Sequence, residues 1–196
     1  MRPRILLVER SETGHVGGSL TGLLHLIRGI DQSRYEPGLL VYEPKDVAGT
    51  LAGTGCEVIV LSGVPKPTGP VPNRLPDRRT GPWAEFRRSL GAVRHFVQHA
   101  LPRARLLEAA FRKARPDLVH LGNGIKPNVD GVVAARRLGI PCIAHEKGLV
   151  RYTPFDRLWC KRVAASVSMT EAIRRHLLQQ GVHAPRMVVA PDGLDL

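Results

Sequence analysis

Short apolar runs, each bounded by charged or turn-forming residues, recur along the chain and alternate with segments of helical periodicity. Most of these runs lack the alternation of polar and apolar positions that marks a strand with one face in water. They therefore indicate buried parallel strands. The predicted strands are residues 5–8, 38–42, 57–61, 118–121, 142–145, 165–167 and 187–190.

Amphipathic segments fill most of the gaps between the strands. The predicted helices are residues 20–27, 46–52, 83–111, 129–138, 155–163 and 171–180. Ser19 is placed to cap the first, and Ser168 with Glu171 is predicted to form a capping box for the last. Pro102 is expected to kink or split the long helical segment. This alternation predicts an α/β fold: a doubly wound, mainly parallel, Rossmann-like sheet with helices on both faces.

The chain has 196 residues, enough for one domain with a real core, predicted over residues 1–190. Residues 62–82 are rich in Pro, Gly and Arg and lack periodicity, so a long exposed loop is predicted there. The apolar run 5–8 is too short for a signal peptide, and no stretch approaches the roughly 18 apolar residues of a membrane helix. A cytoplasmic protein is therefore predicted.

The formal net charge of +12 indicates an anionic partner: nucleic acid, an acidic membrane surface or a phosphorylated substrate. The alternative is the background composition of an Arg-rich proteome. Aromatic residues are only 5% of the chain, which argues against nucleic-acid binding. The basic helical region 83–115 fits two placements: on an anionic membrane, peripheral at its inner face, or packed on the core with its basic face in water.

Ligands in such sheets bind at the carboxyl ends of the strands, which selects the loops 9–18, 122–128 and 146–153. In the first loop, Gly17 and Gly18 precede a helix whose amides can receive an anion. The glycine spacing does not match a dinucleotide fingerprint or a P-loop, so NAD or ATP binding in the usual mode is not predicted. The alternative is that paired glycines let the helix pack closely on the strand.

His145 is predicted to end a buried strand and to face the strand-end crevice, where an imidazole can exchange a proton near neutral pH. A purely structural role is the alternative. Cys56, Cys142 and Cys160 show neither paired spacing nor a metal-ligand pattern, so no metal site is predicted from them.

Several short motifs in a fixed order carry a resemblance to a known family. They are residues 17–26 (GGSLTGLLHL), 115–120 (RPDLVH), 139–146 (GIPCIAHE), 167–172 (VSMTEA) and 190–195 (APDGLD). Together they resemble the N-terminal domain of GT-B retaining glycosyltransferases of family 4, over nearly the whole chain. Asp192 departs from the pattern, which usually has Asn before this Gly.

The resemblance implies that a sugar is transferred with retention from a nucleotide-sugar to an acceptor, which is a glycan or a lipid-linked or cell-envelope precursor. It places Gly17 and Gly18 against the donor phosphates or the reacting sugar, and His145 at the reacting centre. The donor is a substrate, and no cofactor is implied. The candidate acceptor-binding residues are His15, Asn123, Glu146 and Lys147.

Residues 191–196 are expected to begin an interdomain hinge, and the family's C-terminal donor-binding domain does not follow them in this sequence. The isolated chain is therefore expected to have little or no transferase activity. Two alternatives stay open. One is half of a GT-B nucleotide-sugar epimerase, for which Glu146 beside His145 is the hint. The other is a non-catalytic subunit of a split glycosyltransferase.

Overall fold

A computed structural model describes residues 2–10, 17–61, 63 and 81–191. The strands of this part of the chain are β1 (Arg4–Glu9), β2 (Glu36–Val41), β3 (Glu57–Val60), β4 (Leu118–Leu121), β5 (Cys142–Glu146), β6 (Ala165–Ser168) and β7 (Met187–Val189). They form one parallel sheet in the order β3-β2-β1-β4-β5-β6-β7. The prediction of a doubly wound parallel sheet is confirmed.

The helices connect these strands. They are α1 (Gly18–Gly29), α2 (Ala48–Leu51), α3 (Pro82–His95), a π-helical turn (Phe96–Ala100), α4 (Leu101–Ala114), α5 (Val129–Arg137), α6 (Pro154–Cys160) and α7 (Glu171–Gln179). Residues 62 and 64–80 of the predicted long loop lie outside the described residues, and Pro82 already belongs to α3.

Apolar residues are buried on both faces of the sheet, because successive strand residues point to opposite sides. On one face, Leu7 and its neighbours pack against α1 and α2. On the other, Leu6 and Val8 belong to a larger cluster that includes Leu107 and Phe111 of α4. The same strands therefore serve two cores, and the sheet is the layer between them.

The strand order reverses at β1, which pairs with β2 on one side and β4 on the other. The ends of β1 and β4 are joined there by a hydrogen bond of 2.9 Å from the Gly122 amide to the Val8 carbonyl. In an open α/β sheet such a reversal opens a crevice between the loops that leave the two strands. The ligand site is therefore expected at this edge.

The predicted cap of α1 is wrong. The helix begins at Gly18, with Gly17 in extended conformation before it and no side-chain cap. Ser19 lies inside the first turn, and its hydroxyl donates to Glu9 Oε1 at 2.9 Å. The serine hydroxyl joins α1 to the end of β1 instead of accepting a hydrogen bond from a free amide of the first helical turn.

The predicted capping box of α7 is also wrong. Ser168 is the last residue of β6, where it pairs with Glu146 of β5, and its side chain is buried. Thr170 caps α7 instead and accepts the Ile173 amide at 3.2 Å. A capping box does occur in the fold, at α6, between Thr153 and Asp156.

The predicted interruption at Pro102 is confirmed. The π-helical turn directly precedes it, and the Leu101 amide bonds to the Phe96 carbonyl five residues back. Proline has no amide hydrogen and crowds the preceding turn, which accounts for the loosened winding.

The two sides of this interruption differ in packing. Helix α4 buries Ala104, Leu107 and Phe111, as expected for a core helix. Helix α3 buries none of its residues. Its apolar stripe is exposed, with Trp83 at 76%, Phe86 at 59%, Leu90 at 60% and Val97, in the π turn, at 55%.

Candidate functional site at the strand ends

A cavity of about 460 Å³ lies where the strand order reverses, and we call it the strand-end cleft. It is lined by Arg10, Ser19, Asn123, Pro127, Glu146, Lys147, Gly148 and Val150. Three of the predicted acceptor-binding residues, Asn123, Glu146 and Lys147, are thus brought together. His15, with the rest of residues 11–16, lies outside the described residues.

Glu9 joins the elements that form the floor of this cleft. Its Oε1 atom accepts from Ser19 Oγ at 2.9 Å and from Asn123 Nδ2 at 3.2 Å. The side-chain oxygen of Asn123 accepts the Arg10 amide at 2.9 Å. The Glu9 carboxylate therefore joins β1, α1 and the β4–α5 loop, and Asn123 adds a second bond between that loop and the end of β1. Sequence reasoning missed Glu9, although a carboxylate ending a buried apolar strand is itself a signal.

Glu146 braces the loop that follows β4. It is 1% exposed, and its Oε1 atom accepts the Ile125 amide at 2.8 Å and the Tyr152 hydroxyl at 2.7 Å. Burial raises the pKa of this carboxyl. At Gly124, φ is +83°, and an added Cβ would lie 2.5 Å from Glu146 Oε2. Only glycine fits there, because any side chain at this point of the loop would collide with the Glu146 carboxylate.

His145 lies one residue before the end of β5, because the strand continues to Glu146 instead of stopping at the histidine as predicted. Its ring centroid is 6.0 Å from that of His120 in β4, and both side chains are buried. Consecutive strand residues point to opposite faces, so His145 and Glu146 face different sides of the sheet. His145 is not among the described residues that line the strand-end cleft.

Gly17 and Gly18 are exposed at the start of α1. Among the described residues, a Cβ at either position would meet nothing within 4 Å. The described part of the chain therefore leaves space beside the pair, which suits the approach of a ligand, and it shows no close packing of the helix that would require glycine there.

A second cavity, of about 960 Å³, lies between α3, the π turn, α6 and the β4–α5 and β5–α6 loops, and we call it the cationic cleft. The two cavities share the lining residues Arg10, Pro127 and Val150. The charged side chains of the cationic cleft are Arg10, Arg87, Arg88, Lys126, Arg151 and Asp156. Sequence reasoning missed this cleft, because its charges come from segments far apart in the chain.

Asp130 is a buried carboxylate in the first turn of α5, near Arg10 of the cationic cleft. Burial raises the pKa of Asp130, while the positive charges of Arg10 and Arg103 act in the opposite direction. One oxygen accepts the Gly131 amide at 2.9 Å. The carboxylate lies close enough to Arg10 to attract its guanidinium group, and Arg10 is one of the residues that line both cavities.

Within the described part of the chain, no group of three or more His, Cys, Asp or Glu residues is placed to hold a metal ion. None of the helices described there is long and apolar enough to cross a membrane.

The fold is that of a Rossmann-like domain, and its candidate ligand site is the cleft at the strand ends. A family model, Glycosyltransferase Family 4, matches residues 44–196. The chain therefore belongs to Glycosyltransferase Family 4, and it has the fold of the N-terminal domain of a GT-B glycosyltransferase. None of the curated proteins compared with the chain matches it.

Solved structures share the fold at low sequence identity. A glycosyltransferase from Rickettsia africae is 14% identical with a TM-score of 0.65, over 99% of this chain and 44% of that one. Anabaena HepE in complex with UDP-glucose is 15% identical with a TM-score of 0.63, over 98% of this chain and 44% of that one. A UDP-N-acetylglucosamine 2-epimerase from Rickettsia bellii is 14% identical with a TM-score of 0.56, over 98% of this chain and 45% of that one. The chain thus spans less than half the length of these proteins.

Proposed function

We propose that this chain is the acceptor-side domain of a glycosyltransferase that moves a sugar from a nucleotide-sugar to an acceptor with retention. The observation that carries the proposal is the pair of adjoining cavities at the carboxyl edge of the sheet. A transferase must hold its acceptor so that one hydroxyl faces the donor, and the two cavities, which share Arg10, Pro127 and Val150, can together hold one extended acceptor. Family membership supports the same reaction class.

The proposed division of the chain is an acceptor-side domain over residues 1–190, followed by a hinge toward a donor-binding domain. Solved relatives are more than twice as long as the region they share with this chain, which supports a second domain in the whole enzyme. HepE is described in complex with UDP-glucose, which supports a nucleotide-sugar as the donor.

In this proposal the open backbone at Gly17 and Gly18 faces the leaving phosphate. Amides at a helix N-terminus are fixed dipoles that stabilise negative charge as it develops. Lys147 in the strand-end cleft contacts the acceptor. The family resemblance supports a role for His145 in orienting the sugar and the acceptor hydroxyl, from the face of the sheet opposite to Glu146 and not from the described lining of that cleft.

The test uses the protein encoded by the complete reading frame, a panel of nucleotide-sugars and mass spectrometry of the products. His145→Ala should lower kcat/KM about 100-fold or more, as expected when a positioned imidazole is lost. The control is His183→Ala, which changes an exposed histidine between α7 and β7. If the His145→Ala enzyme keeps near-wild-type kcat/KM, the role of His145 is wrong.

The second candidate is sugar epimerisation, because a UDP-N-acetylglucosamine 2-epimerase shares the fold. The hint from adjacent His145 and Glu146 weakens, since their side chains face opposite sides of the sheet and Glu146 is engaged with Ile125 and Tyr152. The same product analysis separates the candidates: an epimerised free nucleotide-sugar supports the epimerase, and a glycosylated acceptor supports the transferase.

We also propose that α3 lies on an anionic membrane surface. Its apolar stripe is exposed, and exposed Arg87 and Arg94 lie on the same helix. A helix with an apolar stripe flanked by basic residues binds in the plane of the lipid headgroups. An acceptor anchored in that membrane would then be close to the cationic cleft.

A further inference from the structure

Basic side chains outnumber acidic ones among the described residues of the cationic cleft. Five cationic side chains line it against the one carboxylate of Asp156. Glu85 lies behind the wall and accepts from Arg88 and Arg151, each at 3.0 Å. With Glu85 and the buried Asp130 near Arg10 included, the described residues around this cavity supply five cations and three carboxylates.

The ion pairs fix the position of this charge. Glu85 joins α3 to the β5–α6 loop through Arg151, and Lys126 joins the β4–α5 loop to α6 through Asp156 at 3.1 Å. Lys126 also donates to the Arg151 carbonyl at 2.6 Å. The walls of the cavity are thereby held together, and Arg87 adds a further basic side chain to its lining.

Two aromatic side chains also line the cavity. Phe96 of the π turn stacks on Trp159 with centroids 4.9 Å apart and meets Phe155 edge-on at 5.4 Å. Phe96 and Phe155 both line the cleft. A concave site lined by apolar rings and mainly by charges of one sign focuses its field on what enters it, unlike a solvated basic surface.

We propose that the cationic cleft binds an anionic group of the acceptor: a phosphate, a pyrophosphate or a carboxylate. This inference rests on the proposed transferase function and names the class of its acceptor. The anion lies among Arg87, Arg88, Lys126 and Arg151, and the hydroxyl to be glycosylated extends past Arg10 and Val150 into the strand-end cleft. The anionic group thus fixes which hydroxyl reaches the donor sugar.

The first test is calorimetric titration of the chain with inorganic pyrophosphate at low ionic strength. Arg87→Ala should weaken binding about tenfold, as expected when one charge-assisted contact to a phosphate group is lost. Arg87→Glu should weaken it further. Arg94→Ala and Arg94→Glu are matched controls, because Arg94 is also exposed on α3 but does not line the cleft and bonds Gln98 at 3.2 Å.

The Arg94 variants should leave pyrophosphate affinity within about twofold of the wild type, apart from a general electrostatic effect that salt screens. Equal losses in the Arg87 and Arg94 variants would mean that the anion samples the basic surface, and the proposal would be wrong. Unmeasurable binding to the wild type, or unchanged affinity on Arg87→Ala, would overturn it as well.

Two sources of the anion are separated by comparing inorganic phosphate with farnesyl phosphate in micelles of a neutral detergent. Tighter binding of farnesyl phosphate, with a gain that Leu90→Ser removes, assigns the anion to a lipid-linked acceptor. Equal binding of the two assigns it to a water-soluble acceptor. Sensitivity to Arg87→Ala in either case supports the site.

The titrations need no donor and no turnover, so they separate the two proposals. If the whole enzyme transfers sugar to neutral and anionic forms of an acceptor equally well, the anion site is wrong and the transferase function stands. If no nucleotide-sugar is turned over but pyrophosphate binding still depends on Arg87, the anion site stands and the transferase function fails.

Discussion

At the scale of single residues, Glu146 shows what sequence reasoning can and cannot supply. Its place at the strand-end crevice follows from the apolar run before it. Its partners, Ile125 and Tyr152, do not, because they depend on how two loops fold over the strand end. Glu146 is predicted to contact the acceptor substrate, and in the structure it is buried and accepts two hydrogen bonds. Substitutions there must separate stability from binding.

Glu146→Gln should stabilise the protein relative to the wild type as the pH rises. Burial raises the pKa of Glu146 in the folded protein above the ordinary 4.5. Above pH 4.5 the unfolded chain loses this proton before the folded one, so wild-type stability falls until the pH passes the raised pKa. Glutamine keeps an oxygen acceptor without the charge. The difference in Tm between variant and wild type, measured from pH 4 to 8, should grow and then level off.

The matched variant is Glu146→Ala, which leaves the Ile125 amide and the Tyr152 hydroxyl without their acceptor. A buried polar group without its partner costs about 1–3 kcal/mol, so this protein should be less stable than the wild type at every pH. If Glu146→Gln destabilises as much as Glu146→Ala at pH 8, the carboxylate charge is required by the fold.

Gly124→Ala should destabilise the protein by about 2 kcal/mol or more, because a side chain is strained at φ +83° and its Cβ would lie 2.5 Å from Glu146 Oε2. Gly148→Ala is the control, since a Cβ there meets nothing within 4 Å. Denaturant melts measure both. Equal midpoints for the two variants would show that the β4–α5 loop can shift to accommodate a side chain at position 124 without a cost in stability.

At the scale of elements, the strands were predictable and their ends were not. Apolar runs identify buried strands because a parallel strand that is covered on both faces is apolar along its whole length. The caps of α1 and α7 were missed, since the choice between Ser168 and Thr170 depends on where β6 stops. Amphipathicity marked α3 and α4 alike. It does not show which apolar stripe is covered, and only that of α4 is packed in the core.

Leu90→Ser should weaken binding of the chain to vesicles of phosphatidylglycerol about tenfold, because a leucine side chain is removed from the lipid-facing stripe. The control is Leu26→Ser, which changes an exposed leucine on α1, on the opposite face of the sheet. Co-sedimentation measures both, and binding should weaken with added salt. Equal binding by the two variants, or no binding by the wild type, would exclude α3 as a membrane surface.

At the scale of the whole molecule, the two cores share strands that bury alternate residues on opposite faces. Leu6 and Leu7 are neighbours in β1, yet each belongs to a different cluster. Loss of packing on one face therefore disturbs the strands that the other face needs. The cavities at the strand ends depend on both, because Ser19 comes from α1 and Val129 from α5.

The described domain should accordingly unfold in one cooperative transition. Leu20→Ala on α1 and Leu107→Ala on α4 each remove a fully buried side chain from a different core, at a cost of about 2–5 kcal/mol. Trp159 packs against the core on the α4 side. Its fluorescence midpoint in denaturant should nevertheless fall with Leu20→Ala as far as the midpoint of far-ultraviolet circular dichroism. If Leu20→Ala lowers the dichroism midpoint and leaves the fluorescence midpoint in place, the two faces unfold separately. The strand-end cleft between them would then lose its shape before the cationic cleft does.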